Sequence, residues 1–253
     1  MSDTPKHGAG EMAPIDVNER GAPRDGVPQV SARRLFMQLL VLEHAGNFDA
    51  AVHFLQARLE QAGIPAVLYA DVNHPQGLGL LTFSEDPTHF VTRVHDALRE
   101  CNRVADITPW RVRPEFSMLG RTYSTGYESD LTHWLLDRPR ETVMHRGWDW
   151  AVWYPLKRTG AFSRLDPKEQ GAILREHGTI GRQYGAQDLA HDIRLACHGL
   201  DSNDNDFVIG LIGAELHPLS HVVQTMRKTR QTGEYMDHMG PFFVGRVIGR
   251  VLA

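Results

Sequence analysis

The chain has 253 residues, 42% of them hydrophobic and 23% charged, with a formal net charge of -4. At about 150 residues per domain that is one large domain or two small ones, and the near-balanced charge without any Lys/Arg run gives no electrostatic case for nucleic-acid binding. Two cysteines, Cys101 and Cys197, are too few for a disulfide framework or a cysteine-based zinc site, whereas fourteen histidines are a first hint of chemistry.

No window holds the 18 or more unbroken apolar residues of a membrane helix, and the opening MSDTPKHGAG has no basic stretch leading into an apolar core, so a cytoplasmic protein without membrane insertion is expected. Residues 1–30 carry Pro5, Pro14, Pro23 and Pro28 among glycines and few apolar side chains, the composition of a flexible arm. Leu35 to Leu42 is an apolar run of strand length. Phe48, Ala51, Val52, Leu55 and Leu59 then fall at helical spacing, with Asn47 as N-cap. Val67 to Val72 and Leu78 to Phe83 read as strands joined by a turn-rich Asn73 to Gly77. From Pro87 a second helix places Phe90, Val91, Val94 and Leu98 on one stripe, and Ile107 to Phe116 is the expected closing strand.

Strand, helix, strand, strand, helix, strand is the ferredoxin-like order, and it recurs. Trp148 to Pro155 is an aromatic strand and Pro167 to Tyr184 a helix; Leu189 to His198 and Phe207 to Ile212 are strands around a polar loop. Pro218 to Lys228 is a helix and Phe242 to Leu252 a closing strand. The expected fold class is therefore α+β: two ferredoxin-like repeats, residues 31–116 and 147–253, joined by a crossover at 117–146 and closing into one α+β barrel.

Chemistry concentrates in the second repeat. In WDWAVWYPLKR, Trp150 lies on an aromatic wall and Tyr154 precedes Pro155, which is expected to end the ladder and put Tyr154 at a sheet end. Lys157 and Arg158 follow at once. An aromatic wall beside two cations suits a flat, apolar ligand carrying carboxylates, although so aromatic a strand is also a common core element. On the next helix, His177 shares a face with Ile173 and Ile180, with Gly178 and Gly181 thinning the helix beside it and Arg182 one turn on. A histidine there is ordinarily a core residue, yet the small neighbours would let a porphyrin approach an axial imidazole. Asp192 and Arg194 share a strand face, as a surface ion pair or as the lining of a cavity. His217 and His221 are spaced for zinc but lack a third ligand, and a solvated helix start is the simpler reading. No GxGxxG after a strand, no P-loop and no GxSxG occurs.

WYPLKR (153–158), REHGTIGRQYG (175–185), HGLDSNDNDF (198–207), MRKTRQTGEY (226–235), GPFFVGR (240–246) and the crossover GRTYSTGYESDLTHWLLDRP together resemble the chlorite dismutase family, in particular its coproheme decarboxylase branch. The resemblance runs over about residues 31–251 and implies a pair of ferredoxin-like domains in one barrel, assembled as a homopentamer. It implies that His177 is the ligand to porphyrin iron, and that Tyr154 bears the radical that attacks a propionate. It further implies that Arg158, with Lys157, occupies the basic position that holds a propionate. Counting from His177 puts the distal position on Ala190, and counting back from Gly199 puts it on Asp192; neither is the arginine expected of chlorite decomposition, and Arg194 is the remaining substitute. The implied activity is the peroxide-dependent oxidative decarboxylation of iron coproporphyrin III (coproheme) to haem b, with hydrogen peroxide as oxidant. A chlorite dismutase and a non-catalytic haem-binding protein of the same family are the alternatives.

Overall fold

The computed structural model describes residues 14–104 and 108–252. Ten strands form one antiparallel sheet that closes on itself. Its first repeat consists of β3 (Phe36–Glu43), β4 (Ala66–Asp71), β5 (Gly77–Ser84) and β7 (Met118–Arg121), with a two-residue β6 (Arg111–Val112) beside β3. Its second consists of β8 (Trp150–Arg158), β9 (His191–Ala196), β10 (Phe207–Gly213) and β12 (Phe243–Val251), with β11 (Met236–Met239) extending the edge of β8. The order β7-β3-β5-β4 in one repeat and β9-β10-β8-β12 in the other is the same ferredoxin-like order read in opposite directions. β4 pairs with β12 and β7 with β9, and with the β10–β8 pairing the circuit is complete.

Alternation along the strands explains why they read as unbroken apolar runs. Leu35, Met37, Leu39 and Val41 point into the barrel with Trp153, Ile193 and Phe243, whereas Leu40 and Leu42 point outward under helices. Both faces of these first-repeat strands are covered, so both are apolar. The outer face of the first repeat is covered by α1 (Phe48–Gln61), capped by Asn47, whose side chain accepts from the Ala50 N–H at 3.1 Å, and by α2 (His95–Cys101). Each leucine wholly buried this way is worth about 1.5–3 kcal/mol. The outer face of the second repeat packs under α5 (Pro167–Ala186) and α6 (Leu216–Met226). Shorter helices are α3 (Arg138–Met144), α4 (Gly160–Ser163) and α7 (Arg230–Tyr235).

The structure departs from the sequence expectations at several points. The expected arm is structured from Glu19 on: β1 (Glu19–Arg24) and β2 (Val27–Ser31) make a hairpin, while residues 1–13 lie outside the described residues. The hairpin is held by the crossover, with Leu131 N–H donating to Gln29 Oε1 at 3.0 Å and Arg121 Nη1 donating to Glu19 Oε1 at 3.1 Å. The closing strand of the first repeat is β7, beyond residue 116, and not residues 107–116, of which residue 107 lies outside the described residues. Pro109 and Pro114 have no N–H to give a ladder there, and only β6 pairs. Val91 is 59% exposed, off the stripe that buries Phe90, Val94 and Leu98. Finally, Pro155 does not end its strand: it pairs with Val208, and β8 continues to Arg158. Gly240 N–H donates to the Pro155 carbonyl at 2.8 Å, so the proline nitrogen faces the side where β12 gives way to β11 and no ladder acceptor is needed.

Candidate functional site

In-register pairs across an antiparallel sheet project to one side. Tyr154, Ile209 and Arg194 form one such row across β8, β10 and β9, and Val152, Leu211 and Asp192 the next. The outer face of the second repeat thus gathers Tyr154, Arg158, Asp192 and Arg194, and α5 crosses it. Asp166 starts that helix by accepting from the N–H groups of Lys168 (2.9 Å) and Glu169 (3.1 Å), with Pro167 at its first position. Ile173, His177, Ile180 and Tyr184, at offsets of four, three and four, form the stripe turned to the sheet.

His177 is mostly buried. Burial and the charges of Arg158 and Arg194 push its pKa down to about 4, against the opposing pull of Asp192 and Glu176, so the imidazole is neutral at physiological pH. Its Nδ1 lies 3.2 Å from Thr229 Oγ1, and that hydroxyl donates to the Met226 carbonyl at 2.8 Å. The orienting group is a threonine, from the short turn between α6 and α7, and not a carboxylate.

Arg158 spans the rings of Phe162 (4.8 Å) and Phe207 (4.6 Å), and its backbone N–H donates to Asp206 Oδ2 at 2.8 Å. Its Nε is buried with no hydrogen-bond partner among the described residues. An unpaired buried guanidinium N–H is costly unless a ligand acceptor meets it. Tyr154 is 6% exposed and stacks on Phe242 at 4.5 Å, and burial raises its pKa.

At the β9 end, Asp192 accepts from Arg138 Nη2 at 2.9 Å and pairs with Arg194 Nε at 3.0 Å. Burial works against its ionisation, but the two arginines outweigh that and hold the carboxyl below its ordinary range. Both guanidiniums lie over Trp134, at 4.6 and 5.4 Å. Thr122, Tyr123 and Thr125 complete a polar cleft beside them. Tyr123, Trp134 and Arg138 come from the crossover and had no signal of their own in the sequence, since each acts only through residues far along the chain.

Three expected site residues stand elsewhere. Lys157 is one residue out of phase with Tyr154 and Arg158, on the opposite face of β8, where it forms an ion pair with Asp204. Arg182 lies on the exposed side of α5 and donates to Thr179 Oγ1 at 2.9 Å; five residues from His177 is about 140° around the helix. Trp150 shares the face of Tyr154 but lies four residues, about 13 Å, along the strand, beside Arg246. Nor do the helix glycines open the site: a Cβ on Gly181 would meet Met226 of α6 at 3.6 Å, and one on Gly178 would meet Arg182 at 3.6 Å. His221 Nδ1 bonds the Tyr184 hydroxyl, and no group of three or more metal-ligating side chains occurs among the described residues.

Residues 136–248 match the model of the family described as chlorite dismutase. That stretch is similar in sequence to the chlorite dismutase family. The match takes in Tyr154, Arg158, His177, Asp192, Arg194 and Thr229. The fold is likewise similar to that of solved structures. A heme-binding protein from Thermus thermophilus is 19% identical, with a TM-score of 0.65 over 86% of this chain and 92% of that one. A variant of the chlorite dismutase of Candidatus Nitrospira defluvii is 13% identical, with a TM-score of 0.64 over 87% of this chain and 93% of that one. The chlorite dismutase of the same organism in complex with imidazole is 13% identical, with a TM-score of 0.62 over 87% and 93%. No curated protein matches the chain in sequence. No helix among the described residues is long and apolar enough to cross a membrane.

Proposed function

We propose that the chain is an iron-porphyrin-dependent oxidoreductase that converts iron coproporphyrin III to haem b with hydrogen peroxide. The observation that carries this reading is His177: its Nδ1 is engaged by Thr229, leaving Nε2 of a neutral imidazole for a ligand on the face that holds Arg158 and Arg194. The residues fit such a group, because the buried, unpartnered Nε of Arg158 is a ready donor for a propionate carboxylate. The family match and the fold shared with a heme-binding protein support the same reading.

His177 would hold the iron, Arg158 a propionate, and Tyr154 would sit beside the reacting side chain. Bound iron porphyrin supplies the activation of hydrogen peroxide that no side chain here provides. Each propionate that reacts loses carbon dioxide, a proton and two electrons to become a vinyl group, and one hydrogen peroxide takes up the two electrons, while the other propionates of the tetracarboxylate are retained. Tyr154, as a phenoxyl radical, takes a hydrogen atom from the β-carbon; its burial under Phe242 keeps water from the radical. Chlorite decomposition is less well served, since the Arg194 guanidinium is tied into an ion pair with Asp192.

Adding coproheme to the purified protein and following the Soret band, then adding peroxide and separating the porphyrins, tests all readings. Coproheme binding followed by haem b is expected. Tyr154→Phe should bind coproheme and make no haem b; a wild-type rate from that variant would overturn the mechanism. Oxygen release from chlorite would point to the dismutase, and a Soret band without either product to a haem-binding protein.

A further inference from the structure

Thr229 is 3% exposed and sits 52 residues from His177 in sequence. Besides the Thr232 N–H and Oγ1, both at 3.5 Å, its Oγ1 has two nearer neighbours that decide where its proton goes. The Met226 carbonyl, 2.8 Å away, can only accept, so the hydroxyl donates there. The remaining contact, 3.2 Å to His177 Nδ1, is then one in which the threonine oxygen accepts and the ring nitrogen donates. The imidazole proton is thereby placed on Nδ1 and the lone pair on Nε2. The acceptor is a neutral hydroxyl and not a carboxylate. Charge on the acceptor decides how much electron density an imidazole passes to a metal, so a hydroxyl leaves it a weaker donor.

We propose that Thr229 is a positioning residue that fixes His177 as the Nδ1–H tautomer and keeps it a weakly donating ligand, so that an iron porphyrin is held as an exchangeable substrate and not as a resident group. The inference rests on the porphyrin reading above for its second half only. The tautomer is a property of the protein without any ligand.

Thr229 also caps α7, its Oγ1 accepting from the Thr232 N–H at 3.5 Å, so a variant that merely loosens that helix must be told apart from one that changes the imidazole. Thr229→Ser keeps cap and hydroxyl. Thr229→Asp keeps a good cap but replaces the hydroxyl with a carboxylate. Thr229→Val removes both. In the ligand-free full chain, nitrogen-15 NMR of the histidine rings at pH 7.5 should show His177 protonated at Nδ1 and bare at Nε2. The same pattern is expected in Thr229→Ser, and its loss in Thr229→Val. After loading with coproheme, Thr229→Asp should lower the ferric/ferrous midpoint potential and slow porphyrin transfer to excess apomyoglobin by about tenfold, with Thr229→Ser unchanged.

A wild-type ring protonated at Nε2, or an unchanged tautomer in Thr229→Val, overturns the first half. An unchanged potential and transfer rate in Thr229→Asp overturns the second. Failure of the wild-type chain to bind coproheme, with Nδ1–H still observed, overturns the porphyrin reading and the exchange claim together and leaves the tautomer assignment standing.

Discussion

A histidine that is neutral because it is buried ties the site to the stability of the chain. His177 has a folded value of about 4 against an ordinary 6.5, so as pH falls the unfolded chain takes up the proton first. The contribution of this histidine to stability is therefore full above pH 6.5 and falls by up to about 3 kcal/mol as pH drops through the window from 6.5 to 4. His177→Ala removes the titrating group, and its urea midpoint should fall less between pH 7 and pH 4 than that of wild type; equal falls in the two proteins would mean that His177 is not the group. Burial comes first in holding His177 neutral, and the charges that assist it, Arg158 and Arg194, are those that would meet the carboxylates of a porphyrin. Site and stability are coupled through the same two guanidiniums.

Placement of that histidine depends on how α5 begins and on what lies beneath it. Asp166 satisfies two N–H groups that no turn of helix precedes, and losing such a cap costs about 1 kcal/mol. Asp166→Ala should lower stability by about that amount in urea melts, and Asp166→Ser, which also caps, should restore most of it. Elements like α5 are legible because cap, proline and apolar stripe all lie within one segment; α1, with Asn47 and Leu55, is another. Tyr154 and Arg158 share a face by the two-residue period, as do Asp192 and Arg194 on their own strand, while the register through β10 brings the two pairs together; the same period, applied to Lys157, sets it on the other face with Asp204. What sequence hides is whatever takes its burial from a distant partner. The β1–β2 hairpin has a polar composition and is held by Glu128, Leu131 and Arg121, about a hundred positions away. β7 is four residues long and is recognised only by its pairing with Phe36 to Leu39. Thr229 and Trp134 have no local pattern that marks them.

At the scale of the molecule, the two repeats make one body because strand four of the second joins strand two of the first, and Phe243 is the side chain at that seam. It is 1% exposed, pairs with Trp153 across β12 and β8, and meets Tyr69 at a ring separation of 6.3 Å. Its ring has room only because two residues facing it lack side chains: a Cβ built on Gly79 would fall 2.4 Å from the Phe243 ring, and one on Gly245 would fall 2.7 Å from it. Neither glycine has a left-handed backbone, so close approach alone demands it there. Gly79→Ala adds one methyl to a seam with no space for it and should cost about 1–3 kcal/mol. The diagnostic is the pair. Phe243→Leu alone leaves a void, but on the Gly79→Ala background the smaller side chain admits the methyl, so the double variant should lose less in urea melts than the two single losses added. Strictly additive losses would show that the two halves are not packed against each other at this point. Phe242, the residue just before β12, is the ring stacked on Tyr154, so seam and site adjoin along the chain.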